Sequence, residues 1–162
     1  MTLSLNATHP SNNETQYNTH SLFGHMECKA TREILIEGEK ELAAFKDKRQ
    51  FLLSRSTFSG SGQHTSHWLG DNHRGWDDMR YSIAGIMNFN MFGVPFTGAD
   101  VCGAYGDADQ EELCARWMQV GAFYPFARQF DEDGSNEPFN FKDDSYKTMA
   151  TESLKERLRY SR

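Results

Sequence analysis

The order of predicted elements in this chain of 162 residues indicates an α/β fold built on a parallel sheet. Short apolar runs, as expected of buried parallel strands, occur at 51–53 and 94–97. Longer segments with apolar residues at steps of three and four, the spacing of one helix face, separate and follow these runs. Hydrophobic residues make up 38% and charged residues 25% of the chain, which is typical of a folded domain.

The N-terminal third begins without regular structure and then becomes helical. Residues 1–19 are polar and rich in Asn and Thr, so we expect a loop. The apolar spacing over 22–45 predicts a helix, which we expect Gly38 to end or kink, leaving a second short helical piece over 39–45. The strand predicted at 51–53 follows.

The remainder of the chain contains three further predicted helices. The first covers 76–92 and stops at Gly93, and the second covers 109–122 after the strand at 94–97. Residues 131–144 are acidic and include a glycine and a proline, so we expect a loop there. A helix of mixed charge is predicted over 145–162.

Charge and hydropathy exclude two classes of partner. The net charge is -6 and no basic patch accumulates, so nucleic acid is not expected to bind. No apolar run approaches the roughly 18–20 residues of a membrane-spanning helix. The N-terminus lacks the basic head and apolar core of a secretory signal. The sequence therefore leaves the compartment unknown.

Four side chains within 51–76 suggest chemistry. Arg55 follows a predicted strand, and Asp71 lies on a glycine-rich loop between Trp68 and Trp76. One interpretation is a helix-capping aspartate with two core tryptophans. The other is a sugar subsite, because aromatic walls, a cation and a carboxylic acid are the components of sites that cleave glycosides. The residues alone leave both interpretations open.

A metal site is a minor alternative. His64, His67, Asp71 and His73 lie within ten residues, and imidazole and carboxylate are good zinc ligands. Their spacing matches no established zinc motif, so polar loop histidines are the ordinary explanation. We expect no metal and no cofactor, with a metal-dependent hydrolase kept as the least favoured class.

Several long motifs in one order resemble glycoside hydrolase family 31, the α-glucosidase family, over roughly 5–126. The resemblance is carried by F-L-L-S-R-S-T-F (51–58), H-W-L-G-D-N (67–72), W-D-D-M (76–79), F-N-M-F-G-V-P-F-T-G-A-D-V-C-G (89–103) and E-E-L-C-A-R-W-M-Q-V-G-A-F-Y-P-F (111–126), with shorter matches at 17–27 and 29–33.

This resemblance implies part of a (β/α)8 barrel, about its second half, and a retaining mechanism on α-glucosides. By matching position, Asp71 is expected to be the general acid/base. Arg55 is expected to contact sugar, Trp68 and Trp76 to line the substrate site, and Asp100 to be a buried acid that supports it. The expected ligand is an α-linked glucose oligosaccharide or glucoside.

The resemblance also suggests a disulfide and a division of the chain. Cys102 and Cys114 match a pair that forms a loop disulfide in secreted members of the family. We expect a loop-rich segment at 1–19, a partial catalytic barrel at 20–130, and an acidic loop with a C-terminal helix at 131–162.

Four departures from the family pattern limit the expected activity. The family's nucleophile motif W-x-D-M-N-E is absent, so we expect that carboxylate to lie upstream of Met1. Phe130 stands where a substrate-contacting histidine is expected. Ala104 replaces an aromatic residue whose role Tyr105 could take. The chain also ends before the last barrel strand is complete.

The sequence therefore predicts a fragment of a retaining α-glucosidase that carries the acid/base but lacks the nucleophile. We expect the fragment to be inactive by itself, with the remainder of the barrel as its partner. The alternative is a truncated chain that binds sugar without turnover or is inert.

Overall fold

The computed structural model describes residues 3–41, 48–107, 110–130 and 137–160. The chain divides into two compact units, Met1–Ser66 and His67–Arg162, and the division falls within a strand. The domain boundaries expected from the sequence stay a prediction. No helix within the described residues is long and apolar enough to cross a membrane.

The first unit is mostly helical. Its elements are α1 (Gln16–Thr19), a 3-10 helix (His20–Leu22), α2 (Phe23–Glu41), β1 (Leu53–Ser54) and a second 3-10 helix (Ser61–Gln63). The predicted first loop also contains an isolated antiparallel bridge between Thr8 and Thr15.

The expectation that Gly38 ends the first long helix is wrong, because α2 runs on to Glu41. One interior glycine costs a helix only about 1 kcal/mol, which good helix formers on either side can offset. The rest of the helical piece predicted over 39–45 lies outside the described residues. The strand predicted at 51–53 overlaps β1 only at Leu53, and Phe51 is exposed rather than buried.

The second unit contains a parallel sheet covered by helices. Its elements are β2 (Ser66–Trp68), α3 (Trp76–Met91), β3 (Thr97–Val101), α4 (Glu111–Gly121), β4 (Phe126–Gln129), a 3-10 helix (Pro138–Asn140) and α5 (Asp144–Tyr160). Strand β3 pairs in parallel with β2 on one side and with β4 on the other. The three helices predicted over this half are confirmed, and the parallel α/β class with them.

The strands of this unit were predicted less well than its helices. The strand expected at 94–97 is β3, which begins at Thr97 and continues to Val101. Strands β2 and β4 were not predicted at all, because S-H-W and F-A-R-Q are short and contain polar residues. Both carry side chains of the candidate site.

Side chains alternate between two faces of the sheet, and one face is packed against helices. Ala99 and Val101 belong to the apolar core together with residues of α4 and α5. The largest fully buried side chain is that of Trp117 on α4, whose Nε1 donates a hydrogen bond to the Tyr124 hydroxyl at 3.1 Å. We call the face of the sheet that carries Ala99 and Val101 the helix face.

Residues Trp68, Gly98, Asp100 and Arg128 occupy the opposite positions of the same strands, and we call this the site face. The register places Trp68 beside Gly98 and Asp100 beside Arg128. Gly98 is required here, because a Cβ atom built on it would lie only 1.6 Å from the carbonyl oxygen of Phe126. The close approach of β3 and β4 therefore depends on a missing side chain.

Candidate active site

The centre of the site face is an ion pair between neighbouring strands. Asp100 of β3 has no exposed side-chain surface. Its Oδ1 accepts a hydrogen bond from Arg128 Nε at 2.8 Å and forms an ion pair with Nη2 at 2.7 Å. Both Arg128 nitrogens converge on one carboxylate oxygen. The other oxygen, Oδ2, is buried and has no hydrogen-bond partner among the described residues.

Two aromatic rings lie within cation–π distance of this arginine. The Arg128 guanidinium carbon lies 5.1 Å from the ring centroid of Trp68 and 5.0 Å from that of Phe130. Such contacts restrain a guanidinium by the attraction between its charge and the π faces. Phe130, at the expected histidine position, therefore packs against the arginine that holds Asp100.

Burial raises the pKa of Asp100 above its ordinary value of 3.8. The hydrogen bond and positive charge of Arg128 oppose this rise without overcoming it, and the negative charge of Asp71 adds to the rise. The electrostatic effect of Asp71 shows that the two carboxyl groups are close enough to influence each other. The structure thus brings Asp71, Asp100, Arg128 and Trp68 into one neighbourhood.

Asp71 occupies the loop that follows β2. Its carboxylate is exposed, and it directly follows Gly70, which has a φ of 85°. The loop is attached to β3 because the backbone N–H of Leu69 donates to the Gly98 carbonyl at 3.0 Å. An acid in a loop at the carboxyl end of a parallel strand has the position that barrel enzymes use for chemistry.

Unsatisfied buried polar atoms cluster around this acid. Within the described residues, Trp68 Nε1 and Asn72 Oδ1 have no hydrogen-bond partner, and neither does Asp100 Oδ2. A buried polar atom without a partner costs roughly 1–3 kcal/mol, so native proteins keep few of them. One donor and two acceptors near an exposed carboxylate match the bonding pattern of a polyhydroxylated ligand.

Trp76 and Arg55 are placed differently. Trp76 is half exposed at the start of α3 and lines a cavity of about 450 Å³ with Glu111 and Tyr146. Arg55 directly follows β1 in the first unit and is exposed. The expected roles of both residues stay predictions.

The structure joins Cys102 and Cys114 by a disulfide, with Cα atoms 4.5 Å apart. Cys102 directly follows the strand β3 and Cys114 lies in α4, so the bond ties the loop after β3 to a core helix. Cys102 has a φ of 76°, an uncommon value for a residue with a side chain.

The three histidines of the metal alternative have different surroundings. His67 is buried and stacks on Phe89 of α3 with ring centroids 3.8 Å apart. His73 makes an edge contact with Tyr105, and His64 makes one with His25 in the first unit. The described residues contain no group of three His, Cys, Asp or Glu side chains that could hold a metal ion.

Comparisons with known proteins agree with this geometry. The profile described as the glycosyl hydrolases family 31 TIM-barrel domain matches residues 2–161. The chain belongs to glycosyl hydrolase family 31. This membership confirms the predicted fold class, part of a (β/α)8 barrel.

Relatives of this family are similar over most of the chain. Human intestinal sucrase-isomaltase is 49% identical over 119 residues, covering 74% of this chain and 6% of its own length. The α-glucosidase of Mucor javanicus is 47% identical over 125 residues, covering 77% of this chain and 14% of its own. The family 31 α-glucosidase structure from Bacteroides thetaiotaomicron has 32% identity and a TM-score of 0.76, covering 90% of this chain and 24% of its own. The chain thus spans less than a quarter of each of these proteins.

Sequence reasoning missed the part played by Arg128. An arginine in Y-P-F-A-R-Q has no periodic signal, and its importance comes from the strand register that sets it beside Asp100. The available hint was the apolar run before it, which could have been interpreted as the start of a short strand.

Proposed function

We propose that this chain carries the general acid/base of a retaining α-glucosidase, with Asp71 in that role. The observation that supports the proposal is the exposed Asp71 carboxylate beside two buried atoms, Trp68 Nε1 and Asp100 Oδ2, that have no hydrogen-bond partner among the described residues. The family membership and the names of the relatives supply the class of substrate, an α-linked glucoside or glucose oligosaccharide.

In the proposed reaction, Asp71 first donates its proton to the glycosidic oxygen as the bond to the anomeric carbon breaks. A second carboxylate forms the covalent glycosyl-enzyme, and we propose that the remainder of a family 31 barrel supplies it. Asp71, now ionised, then removes a proton from the water that releases the sugar. These 162 residues alone are accordingly expected not to turn over substrate.

The site face is proposed to hold the sugar. Trp68 Nε1 would donate a hydrogen bond to one sugar hydroxyl, and Asp100 Oδ2 would accept one from another. Arg128 would keep the Asp100 carboxylate in a fixed orientation through its paired N–H groups. The proposals for Arg55 and Trp76 as sugar contacts depend on their motifs alone.

The test uses a chimaeric enzyme, in which this chain replaces the aligned segment of the Mucor javanicus α-glucosidase. Two substrates are compared: maltose, whose leaving sugar must be protonated, and an aryl α-glucoside with an acidic phenol, which leaves without protonation. We expect Asp71→Asn to lower kcat/KM for maltose by roughly 10²–10⁴ while reducing that for the aryl glucoside far less. Added azide should restore release of the sugar, because this anion needs no general base.

The matched control is Asp77→Asn, an exposed aspartate that pairs with Arg80 on α3. This variant should leave kcat/KM unchanged for both substrates. Equal losses on the two substrates after Asp71→Asn, or no loss on either, would refute the acid/base role.

A second candidate function is sugar binding without turnover. It is favoured by Trp68 Nε1 and Asp100 Oδ2, which have no hydrogen-bond partner in the part of the chain that the structure describes. Calorimetric titration of the 162-residue chain with maltose tests it, with Trp68→Phe as the variant that removes the N–H donor. Binding that Trp68→Phe weakens would support this candidate, and no heat at millimolar sugar would count against it.

A further inference from the structure

Two loops meet beside the proposed acid. The acid loop, residues 69–75, connects β2 to α3 and contains Asp71, and the disulfide loop, residues 102–107, follows β3. The backbone N–H of Ala104 donates to the Asn72 carbonyl at 2.8 Å, and that of Arg74 donates to the Tyr105 carbonyl at 2.8 Å. The loops therefore form a parallel bridge at His73 and Tyr105.

The side chain of Arg74 reinforces this bridge from inside the protein. Only 1% of Arg74 is exposed, which is rare for an arginine. Its Nε donates to the Cys102 carbonyl at 3.2 Å and its Nη1 to the Gly106 carbonyl at 3.1 Å. One residue of the acid loop thus holds two points of the disulfide loop.

Glycines allow the loops to approach this closely. Gly103 has a φ of 80°, and a Cβ atom built on it would lie 2.7 Å from the Cα of Arg74. Gly106 has a φ of 118°, and its Cβ would lie 3.1 Å from His73 Nε2. The backbones are therefore in contact, and the disulfide anchors Cys102 to α4 on the far side.

We propose that Arg74 is a positioning residue that sets the location of Asp71. The inference builds on the proposed acid/base role of Asp71. On one side the acid is anchored by Leu69 N–H to the Gly98 carbonyl, and on the other by the Asn72 carbonyl and Arg74. Proton transfer requires the acid within hydrogen-bond reach of the leaving oxygen, and a 1 Å displacement can cost about 10²-fold in rate. Arg74 supplies this precision without touching the substrate.

The first test measures amide hydrogen exchange in the 162-residue chain. We expect Arg74→Met to speed exchange of the Arg74 and Ala104 amides by about tenfold or more, because loop opening loses two hydrogen bonds. Amides of α4 should not change. Arg80→Met, which removes an exposed arginine of α3 paired with Asp77, is the control. Unchanged exchange in both loops would overturn the proposal.

The second test uses the chimaeric enzyme and the same two substrates. Arg74→Met should lower kcat for maltose by roughly 10–100-fold with little change in KM, and should alter the rate for the acidic aryl glucoside by less than about twofold. Arg74→Lys, which keeps the charge but offers one nitrogen for two carbonyls, should fall between. This variant also covers the case in which the methionine variant fails to fold.

The outcomes separate this proposal from the one on which it rests. Asp71→Asn could slow maltose hydrolysis much more than aryl glucoside hydrolysis while neither Arg74 variant does so. In that case the positioning role is wrong and the acid/base role stands. If Asp71→Asn itself does not discriminate, the acid/base role fails, and faster exchange in Arg74→Met would then support only a structural link between the loops.

Discussion

The two faces of the sheet in the second unit differ in how their side chains are packed and hydrogen-bonded, although they share the same strands. On the helix face, Ala99 packs with Leu113 and Trp117, and all three are fully or almost fully buried. On the site face, Asp100 is equally buried, but one of its oxygens has no hydrogen-bond partner within the described segments. Because side chains alternate along β3, those on the helix face stabilise the fold. Those on the site face include an Asp100 oxygen that can accept a further hydrogen bond.

The largest effect should come from the helix face. Trp117→Ala removes a completely buried side chain and its hydrogen bond to Tyr124, which should lower the free energy of unfolding by about 3–5 kcal/mol. Denaturant titration followed by circular dichroism measures this. Phe139→Ala, which truncates an exposed ring, should change it by less than about 0.5 kcal/mol. Similar losses in the two variants would mean that the helix face is not the main source of stability.

A smaller effect should come from removing the cation of the site face. Arg128→Met leaves the Asp100 carboxylate buried without its charge partner, which should cost about 2–3 kcal/mol at pH 7. The loss should shrink as the pH falls through the raised pKa of the carboxyl group, which then takes up a proton. Arg116→Met breaks an exposed pair with Glu112 and should cost under about 1 kcal/mol over the same pH range. A pH-independent loss in Arg128→Met would contradict the buried charge.

The smallest effect is a change in the pH dependence of stability. Because the pKa of Asp100 is raised in the folded state, its contribution is complete below the ordinary value of 3.8 and is lost as the pH rises through the folded value. The amide side chain of the Asp100→Asn variant does not ionise, so the variant does not lose stability in this way as the pH rises. The stability of the variant relative to the parent should therefore increase with pH over that range, as measured by thermal unfolding.

Asp143→Asn provides a control of opposite sign. Hydrogen bonds from Ser145 lower the pKa of Asp143, so its contribution is present above 3.8 and is lost as the pH falls through the folded value. The variant should lose stability relative to the parent as the pH rises. If the stabilities of the Asp100 and Asp143 variants changed with pH in the same direction, burial would not be the main cause of the shifted pKa of Asp100.

The helix face was largely predictable from the sequence and the site face was not. Helices α3 and α4 follow from apolar periodicity, because each packs one face against the core, and α5 was predicted as a helix of mixed charge. Strands β2 and β4 were not predicted because each is short and polar residues interrupt its apolar pattern, Ser66 and His67 in β2 and Arg128 and Gln129 in β4. One of these polar residues, Arg128, belongs to the candidate site.

Resemblance supplied what periodicity could not, but only for matched positions. It pointed to Asp71, Trp68 and Asp100, whose neighbourhood the structure then described. It could not point to Arg74, since the importance of that residue comes from two carbonyl groups about 30 residues later, in a loop shaped by Gly103 and Gly106. Such partners depend on tertiary contact and are not visible in local sequence.

The three tryptophans of this chain lie in three different environments. Trp117 is sealed in the core, Trp76 is 48% exposed, and Trp68 lies 5.1 Å from the Arg128 cation. Their indole rings should therefore emit light at different wavelengths, with the Trp68 emission governed by the adjacent charge. A ligand that enters between Trp68 and its surroundings would change that emission while the Trp117 signal stays constant. The molecule thus contains both an optical probe of its site and an internal reference.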